Sequence, residues 1–590
     1  MPSLLEGIEG PEDFKSFTVD ELRSLAAEIR ETLISAVTET GGHMGSNLAV
    51  VEATVALHYV FDSPRDKIVF DTSHQSYTHK MLTGRAYAYT DPARYGSVSG
   101  FTNPAESEHD LFRCGHTSTS ISLACGLAKA RDLIGGHNRV VALIGDGALS
   151  GGEAFEGLDN AAELDSGLII IFNDNEMSIK EDTGGMYAGL AELRTSNGTS
   201  TRNIFRDFGL DYRYVEQGND VAELVRVFNE VKDIDHPIVV HIHTTKSKGW
   251  TWGEKHREAS HSVPAAGAHP LPPERDYRAI TRAYMAHKLK SDPSVVIVNA
   301  AAPGGCGLPV EFREAAGKQY VDVGICEQHA VSFCAGIARG GAKPVFFVHS
   351  TFLQRAYDQL ISDLALNDTP VVILVFEGGF SSLDSTHIGV FDIGFAGNIP
   401  GLTCLSPASR EQYVAMLDWA IDQNDRPVVI RVPDHVLTDA DMGIETPKAF
   451  TTADVARYDV LKRGSKVALL GLGPAVDLLG EVAHELQYAS NIDPTIISAT
   501  AYSALDWRLL DDISRDHDLV VTFENGVLFG GFGEKVARYL GHTKVRTICF
   551  GGTKEFIDRM PAAVMRQRYH LEPAAVAADI VSQLEKMQSE

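Results

Sequence analysis

Two polar triplets combine residue types that could hold a metal ion together with a phosphate group. GDG, at residues 145–147, comes directly after the apolar run VVALIG, and NDN, at residues 173–175, comes after GLIIIF. Asp146 and Asn175 offer carboxylate and amide oxygens, which are hard ligands suited to Mg²⁺. The glycines let backbone N–H groups approach a phosphate. The triplets therefore predict a magnesium and diphosphate site.

The surrounding elements predict that the two triplets lie side by side. Both follow apolar runs that predict strands, and residues 151–164, GGEAFEGLDNAAEL, predict one helix between them. Open α/β sheets bind ligands at the carboxyl ends of their parallel strands, where both triplets would then lie. GDG alone is common in ordinary turns, whereas GDG with an Asn placed 29 positions after its Asp is far more specific.

Apolar, β-branched runs of the same kind recur along the whole chain and alternate with helical patterns. Unbroken runs predict strands that are buried on both faces. Helices between such strands predict an α/β fold with mostly parallel sheets. The runs are VVALIG (140–145), GLIIIF (167–172), PIVVHIH (237–243), SVVIVNA (294–300), KPVFFV (343–348), PVVILVF (370–376), PVVIRV (427–432), KVALLGLG (466–473) and DLVVTFENG (518–526).

Two segments of different composition predict linkers between domains. Residues 251–277 concentrate Pro, Gly, His and charge, and residues 434–465 lack the pattern of a buried strand. A third segment, 71–118, has few strand signals and many His, Ser, Gly and Tyr residues, and long irregular segments of a domain are commonly functional. The linkers divide the chain into three predicted domains, 1–250, 278–433 and 466–590.

The 590-residue chain is strongly acidic, which argues against several classes of partner. It has 52 Lys and Arg against 79 Asp and Glu, a net charge of −27, so we expect it to bind neither nucleic acid nor an anionic membrane. No window approaches 18 consecutive apolar residues, so no membrane-spanning helix is predicted. The first residues lack the pattern of a secretory or transit peptide. Seven cysteines without a C-x-x-C pair favour a reducing, cytoplasmic location.

Several longer blocks of sequence resemble the 1-deoxy-D-xylulose-5-phosphate synthase family, a thiamine-diphosphate-dependent branch of the transketolase superfamily. GDG with an Asn after the next strand matches the thiamine-diphosphate fingerprint, and the other blocks are specific to this synthase within the superfamily. The resemblance runs over most of the chain. The blocks are GGHMGSNL (41–48), DTSHQSYTHKMLTGR (71–85), ESEHDLFRCGHTSTSIS (106–122), IFNDNEMSI (171–179), DVGICEQHAVSFCAGIARGG (322–341), STFLQRAYDQ (350–359) and THIGVFD (386–392).

The resemblance implies a cofactor-binding arrangement and a homodimer. The first domain would bind the diphosphate and Mg²⁺, the second the aminopyrimidine, and the third would have no cofactor role. The metal ligands would be Asp146, Asn175 and the backbone carbonyl of Met177. Thiamine diphosphate would be contacted by His74, Gly145, Asp146, Gly147, Asn175, Met177, Glu327, Phe352, His116 and Ser118.

Glu327 is the residue that the resemblance assigns to cofactor activation. The family carries its activating carboxylate in the block GICEQHAV, and this carboxylate shares a proton with ring atom N1′ of the cofactor. A carboxyl group in an apolar pocket has a raised pKa and suits that task. Read without the flanking block, Glu327 would be an ordinary glutamate at the start of a helix. Phe352 matches the aromatic residue that stacks on the pyrimidine.

Three of the 22 histidines match family positions next to the reacting atoms, whereas most are expected to be structural. We assign His43, His261 and His387 as catalytic residues that exchange protons, because an imidazole is both donor and acceptor near neutral pH. Tyr77 and His79 are expected to line the same cleft. The predicted substrate residues are His349, Arg355, Tyr77, Glu377, Asp384 and Asp434.

The chain departs from the family where the phosphate of glyceraldehyde 3-phosphate would be held. The family arginines of its Asp-Arg-Ala-Gly and Arg-Tyr-Pro-Arg-Gly blocks correspond to Glu377 and Asp434, which changes the local formal charge from about +2 to about −2. The family tyrosine before Ser-Thr-Phe is His349. The loop at 381–386 is one residue shorter, and the segment at 180–205 is some forty residues shorter, than in the family. Arginines that could compensate are Arg431, Arg355 and Arg94.

These observations favour one function and leave alternatives open. The favoured function is a transferase that decarboxylates pyruvate, a 2-oxo acid, and passes the two-carbon unit to an aldehyde other than glyceraldehyde 3-phosphate. The alternatives are ketol transfer without decarboxylation, as in transketolase, and genuine 1-deoxy-D-xylulose-5-phosphate synthesis. A non-catalytic cofactor-binding subunit is a further alternative, but such a chain would be expected to lose Glu327, Asp146 and Asn175, and all three are present.

Overall fold

The computed structural model of the chain describes residues 3–380, 384–444, 449–558 and 560–589. Contacts divide the chain into two compact units, which we call the first and the second unit. The first contains Met1–Pro270 and Gly324–Cys326, and the second contains Leu271–Val323 and Glu327–Glu590. The three domains and two linkers inferred from the sequence stay a prediction. Within the described part of the chain, every helix is too short or too polar to cross a membrane.

A parallel sheet is the frame of the first unit. The strands of this unit are β1 Gly42–His43, β2 Lys67–Phe70, β3 Val140–Gly145, β4 Leu168–Asp174, β5 Asp211–Val215, β6 Pro237–His243 and β7 Ser262–Val263. The parallel sheet has the order β2-β3-β4-β6-β5, while β1 and β7 form a separate antiparallel pair. β4 is buried along its whole length, as expected for a strand that helices cover on both faces.

Helices cover both faces of this sheet and bury an apolar core on each. The longest helix begins at a capping box in which the Thr18 side chain accepts from Glu21 N and the Glu21 side chain accepts from Thr18 N. The helices are α1 Val19–Thr40, α2 Gly45–Ala49, α3 Val51–Val60, α4 Tyr77–Lys80, α5 Tyr87–Thr90, α6 Ser120–Leu133, α7 Asp146–Leu149, α8 Gly152–Ala162, α9 Met186–Thr195, α10 Ile204–Asp207, α11 Val221–Val231 and α12 Thr251–Lys255, with a π-turn at Met81–Arg85.

The second unit contains two sheets. Its strands are β8 Val295–Asn299, β9 Tyr320–Asp322, β10 Lys343–His349, β11 Val372–Phe376, β12 Thr403–Leu405, β13 Val428–Arg431, β14 Asp459–Lys462, β15 Lys466–Leu472, β16 Thr495–Ala499, β17 His517–Val527 and β18 Arg546–Gly552. One sheet is parallel throughout, in the order β12-β13-β11-β10-β8-β9. The other has the order β14-β16-β15-β17-β18, with β14 antiparallel at its edge.

Side chains from both sheets share one apolar core in the second unit, for example Phe346 of β10 and Leu470 of β15. The helices of this unit are α13 Tyr277–Ser291, α14 Val310–Ala316, α15 Glu327–Arg339, α16 Ser350–Leu353, α17 Tyr357–Gln359, α18 Asp392–Ala396, α19 Arg410–Asp422, α20 Val476–Ser490, α21 Trp507–Asp516, α22 Phe532–Leu540, α23 Ala562–Arg568 and α24 Pro573–Ser589, with a π-turn at Leu360–Leu364. The alternation of strands and helices confirms the predicted α/β class.

Each of the nine apolar runs coincides with a strand, and the helix predicted at 151–164 is α8. Strands that the sequence analysis missed are short or partly exposed; β5, for example, alternates exposed and half-buried residues at a sheet edge. Both predicted linkers contain strands, β7 in the first and β14 in the second. A strand that pairs along one edge only needs no continuous apolar run, so its sequence pattern is weak.

Candidate active site

The two triplets lie on neighbouring strands, at the same edge of the sheet in the first unit. β3 pairs in parallel with β4, and the register places Gly145 opposite Asn173. α7 begins at Asp146, directly after β3. The parallel register therefore brings GDG and NDN together, as their positions after two strands predicted.

Asp146 is buried and accepts hydrogen bonds from three backbone amides. Gly147 N donates to Oδ1 at 2.9 Å, while Asn175 N and Met177 N donate to Oδ2 at 2.7 and 3.2 Å. Burial, together with the nearby carboxylate of Asp182, raises the pKa of Asp146 well above its usual value. A divalent cation beside such a carboxylate would favour its ionised form.

Oxygen atoms without partners lie around Asp146 and fit a cation. Within the described part of the chain, Oδ1 of Asn175 and both carboxylate oxygens of Asp182 are buried and have no hydrogen-bond partner. Burial raises the pKa of Asp182 to about 7. Within the described residues, no group of three or more His, Cys, Asp or Glu side chains could hold a metal. The predicted donors, one carboxylate, one amide and one backbone carbonyl, instead suit Mg²⁺, which commonly completes its shell with phosphate oxygens and water.

Helix α9, which lies in the shortened segment at 180–205, supports both triplets. Tyr187 donates its hydroxyl to the carbonyl of Asp146 at 3.0 Å, and Arg194 donates to the carboxylate of Asp174 at 2.6 Å. On the other side, Nε2 of His241 lies 3.0 Å from the same carboxylate. The sequence analysis did not identify these supporting residues, because no short-range pattern relates the side chains of α9 or β6 to the triplets.

Lys246 is a second residue that the sequence analysis missed. Its side chain is fully buried, and Nζ donates to the carbonyls of Ser178 and Ile179 beyond the NDN triplet. Burial lowers the pKa of Lys246 to about 8, and the nearby carboxylates of Asp146 and Asp182 oppose that shift. A buried ammonium group of this kind can compensate the charge of a diphosphate. The available signal was a lysine soon after an apolar strand, which is too common to single out.

Three predicted histidines form a cluster in the first unit. The ring centroids of His43 and His74 are 4.9 Å apart, those of His43 and His261 are 5.5 Å apart, and those of His74 and His261 are 5.4 Å apart. Ser46 Oγ lies 3.1 Å from Nε2 of His74. Burial, with Lys246 nearby, lowers the pKa of His261 well below its usual value. The pairing of β1 with β7 brings the His261 segment to His43.

Tyr77 and His79, two further predicted residues of the first unit, differ in their surroundings. The hydroxyl of Tyr77 lies 3.3 Å from His43 N, so Tyr77 borders the histidine cluster. His79 is fully buried, 2.8 Å from His58 and 2.8 Å from Asp110 through its two ring nitrogens. The prediction that His79 lines a cleft is therefore wrong. Both ring nitrogens are engaged in the interior, which the spacing from Tyr77 could not reveal.

The serine-rich loop before α6 contains the two remaining predicted cofactor residues of the first unit. Ser118 has a positive φ of 76°, which is uncommon for a non-glycine residue and is a mark of functional loops. Its backbone N–H donates to Asp71 at 2.8 Å, and its hydroxyl donates to the carbonyl of Ala148 at 2.7 Å. The hydroxyl thus supports the loop after GDG, while the partly buried His116 lies two residues earlier.

Glu327, in the second unit, begins α15 and is almost completely buried, with 2% of its surface exposed. Its carboxylate atom Oε2 makes no hydrogen bond within the described part of the chain. Burial raises the pKa of Glu327, although Nη1 of Arg355, 4.0 Å from Oε2, opposes the shift. A buried carboxyl oxygen without a partner fits a proton-sharing contact with a heterocyclic nitrogen.

Phe352 lies between two of the predicted substrate and catalytic residues. Its ring is stacked on His349, with centroids 5.4 Å apart and planes 9° apart, and meets His387 edge-on at 5.5 Å. Nδ1 of His387 lies 2.8 Å from the Thr386 hydroxyl, which in turn donates to Asp384. Asp384 thus supports the turn that carries His387. Residues 381–383 of the shortened loop lie outside the described residues.

Glu377 and Asp434, the two acidic replacements, have different partners. Arg278 donates to Oε1 of Glu377 at 2.6 Å, and Nδ1 of His349 lies 3.4 Å from Oε2. Nδ1 of His435 lies 2.7 Å from Asp434. Asp434 lines a cleft of about 200 Å³ whose charged and titratable residues are Asp434, His435, Asp477, Glu481, Glu524 and Arg566. The formal charge of −2 predicted for this region therefore omitted the partners Arg278 and His435.

The three arginines considered as phosphate ligands all have partners, although Nη2 of Arg431 makes no hydrogen bond within the described residues. Arg431 is buried and donates to Asp392 at 2.8 Å and to Asn525 at 2.7 Å. Arg355 lies beside Glu327, as described above. Arg94, in the first unit, lies over the ring of Tyr87 at 3.4 Å.

Comparison with known protein families agrees with this geometry. Residues 5–202 match the model described as 1-deoxy-D-xylulose-5-phosphate synthase, residues 274–438 match the transketolase pyrimidine binding domain, and residues 456–576 match the transketolase C-terminal domain. Parallel α/β sheets, the triplets and these matches define a thiamine-diphosphate- and Mg²⁺-dependent transferase of the transketolase type.

Relatives that cover the whole chain give a narrower classification. The chain is 38% identical to 1-deoxy-D-xylulose-5-phosphate synthase of Symbiobacterium thermophilum over 99% of this chain and 96% of that protein. It is 36% identical to 1-deoxy-D-xylulose-5-phosphate synthase 1 of Geobacter sulfurreducens over 98% of this chain and 97% of that protein. A solved transketolase of Campylobacter jejuni covers 96% of this chain at 15% identity, with a TM-score of 0.44. The chain belongs to the 1-deoxy-D-xylulose-5-phosphate synthase family.

Proposed function

We propose that this enzyme decarboxylates pyruvate and transfers the two-carbon unit to an unphosphorylated aldehyde. The observation that carries the choice of acceptor is the replacement of both phosphate-binding arginines by acids. Glu377 is paired with Arg278, and the cleft that Asp434 lines has four carboxylates, that of Asp434 included, against one arginine. A phosphate with nearly two negative charges would meet repulsion from the carboxylates of the cleft, and at Glu377 it would meet a guanidinium group that already pairs with a carboxylate.

The existing arginines do not replace the lost positive charge. Arg431 is bound to Asp392 and Asn525, and its side chain is 4% exposed. Moving Arg431 toward a ligand would leave the buried carboxylate of Asp392 unpaired, which is strongly unfavourable. Arg94 lies in the first unit, over an aromatic ring, where a cation is already stabilised.

The residues of the first unit would hold the metal and the diphosphate. We propose Asp146, Asn175 and the Met177 carbonyl as Mg²⁺ ligands, because Oδ1 of Asn175 has no hydrogen-bond partner among the described residues and Asn175 N donates to the buried carboxylate of Asp146. Lys246 would compensate further negative charge on the diphosphate. Thiamine diphosphate, when bound, supplies the carbon nucleophile that attacks the 2-oxo acid. Gly145, Gly147 and His116, with His74 and Ser118, would border the cofactor.

Two groups of side chains would move or hold protons. Oε2 of Glu327 would hold a proton against a nitrogen of the aminopyrimidine, since this buried oxygen makes no hydrogen bond to any residue that the structure describes. Phe352, whose ring stacks on His349, would be the aromatic residue that contacts the pyrimidine. His43 and His261 in the first unit and His387 in the second would donate protons to, or accept them from, the oxygen atoms of the substrates.

We further propose a cytoplasmic homodimer with three domains, 1–250, 278–433 and 466–590. The sequence blocks that match a dimeric family support the oligomeric state, and the scattered cysteines support the compartment. No cysteine among the seven forms a disulfide bond. Sedimentation of the purified protein would test the dimer.

Ketol transfer without decarboxylation and genuine 1-deoxy-D-xylulose 5-phosphate synthesis are the competing functions. A screen of donors and acceptors with Mg²⁺ and thiamine diphosphate, read by mass spectrometry of the products, separates all three. We expect CO₂ from pyruvate and a product without phosphate. Consumption of a ketose phosphate donor without CO₂ would establish the transketolase alternative. A kcat/KM for glyceraldehyde 3-phosphate above that for every neutral or amino aldehyde would establish the synthase.

A further inference from the structure

We propose that Glu377 and Arg278 together set the charge specificity of the acceptor site, with Glu377 masking a guanidinium group that would otherwise bind an anion. This inference rests on the proposed function, because it explains how the site disfavours phosphate. It also identifies Arg278, a residue that the sequence analysis did not single out.

The contact between the two side chains is close and anchored on both sides. Arg278 Nη2 lies 2.6 Å from Glu377 Oε1, and Arg278 Nε donates to the carbonyl of Gly305 at 2.6 Å. Glu377 directly follows β11 and has a positive φ of 54°. A non-glycine residue keeps such a conformation only when its surroundings impose it, and the positive φ is a common mark of functional sites.

The pair is connected to the residues predicted to surround the acceptor. Oε2 of Glu377 lies 3.4 Å from Nδ1 of His349, whose ring stacks on Phe352. Phe352 in turn meets His387 edge-on. A ligand that reaches His387 and His349 would therefore also experience the charge of the pair.

Arg278 retains donors that could bind an anion. A guanidinium group has five N–H donors, and within the described residues its side chain uses Nε for Gly305 and Nη2 for Glu377. Its side chain is 41% exposed and that of Glu377 is 33% exposed. Removing the carboxylate charge would leave an accessible arginine of the kind that binds phosphate.

The expected size of the effect follows from Coulomb's law. A unit charge removed about 5 Å from a phosphate changes affinity by more than a hundredfold at an effective dielectric of about 20, and exposure to solvent and salt reduces that change. We therefore expect at least about tenfold tighter anion binding when Glu377 loses its charge.

The test is a double-mutant cycle on the holoenzyme with inorganic phosphate and glyceraldehyde 3-phosphate as probes. Calorimetry should show that Glu377→Gln binds both anions at least about tenfold more tightly than the wild type. The double variant Glu377→Gln, Arg278→Gln should return to within about threefold of the wild type. The ratio of kcat/KM for glyceraldehyde 3-phosphate to that for glyceraldehyde should follow the same pattern.

Matched variants keep the result interpretable. Glu223→Gln breaks the exposed pair with Arg226, 2.5 Å long, in the first unit and makes the same change in net charge, so anion binding should not change. If Glu377→Gln does not fold, Glu377→Asp, whose shorter side chain loosens the contact, must show a smaller change in the same direction.

Unchanged anion affinity in the folded Glu377 variant, or tighter binding that persists without Arg278, would overturn the inference. Efficient turnover of glyceraldehyde 3-phosphate by the wild type would instead contradict the proposed acceptor, while the cycle would still report on Arg278.

Discussion

The proposed metal and diphosphate region of the first unit and the proposed acceptor region of the second both lie where parallel strands end, yet their carboxylates are held differently. Asp146 is held by three backbone N–H groups, whose positions follow from the register of β3 and β4. Glu377 is held by side chains instead: Arg278 of α13, which is 99 positions away along the chain, and His349 of β10.

This difference in how the two carboxylates are held indicates that the acceptor specificity of such an enzyme can change while its metal and diphosphate site stays the same. A site made from backbone amides persists as long as the strands pair, whatever the neighbouring side chains are. A site made from paired side chains changes specificity when one partner changes charge. The predicted replacement of two family arginines by Glu377 and Asp434 would be a change of the second kind.

We expect the largest effect from a substitution that disrupts the proposed metal and diphosphate site, where backbone amides hold Asp146. Asp146→Ala removes the carboxylate that binds three amides and would ligate Mg²⁺. We expect the variant to fold but to lose measurable retention of thiamine diphosphate in the presence of Mg²⁺, a greater loss than the roughly 10–100-fold that is typical of changes outside the first coordination shell. Titration calorimetry measures it, with Asp159→Ala on the exposed face of α8 as the control. An affinity near that of the wild type would contradict the assignment of Asp146.

A smaller but still large effect is expected at Glu327. Glu327→Gln keeps the shape of the side chain but removes its ability to share a proton, so turnover should fall by about 10²–10⁴. Cofactor affinity should change far less, because the buried contacts remain.

Exchange of the C2 proton of the bound cofactor, followed by NMR, is the direct measurement for Glu327. Glu311→Gln, at an exposed position of α14, is the matched control and should exchange like the wild type. The role given to Glu327 would be refuted by an unaltered exchange rate in Glu327→Gln.

We expect the smallest effect at Gly378, which lies in the region that depends on paired side chains. A Cβ atom at Gly378 would lie 2.9 Å from Asp392 Oδ2 and 3.0 Å from Arg431 Nε, so Gly378→Ala should crowd the buried ion pair. We expect the free energy of unfolding to fall by about 1–3 kcal/mol, as for other overpacked cores.

Thermal and denaturant unfolding measure this change at Gly378. Gly336→Ala in α15 is the control, because an added Cβ there meets no atom within 4 Å and alanine favours a helix. Equal stability of the Gly378→Ala and Gly336→Ala variants would show that the ion pair adapts without cost.

Much of the fold was predictable because burial on both faces leaves a clear pattern. β4 and β10 have continuous apolar runs and were located within two residues. β5 and β14 are edge strands with exposed or half-buried residues, and they were missed. The same reasoning explains His79, whose burial depends on His58 and Asp110, neither of which its neighbours in sequence reveal.

The sequence by itself determined the α/β class, the order of the two triplets after their strands, and the family. These properties depend on local periodicity and on residue types at short spacing, and both can be read directly from the sequence. Only the tertiary structure decided that α9 supports the triplets, that Lys246 is buried beside Asp146, and that Arg278 is paired with Glu377. Arg278 and Glu377 are 99 positions apart, and no local rule relates residues so distant. The charge of this site therefore depends on which elements pack together, whereas the chemistry of the triplets depends on which residues follow a strand.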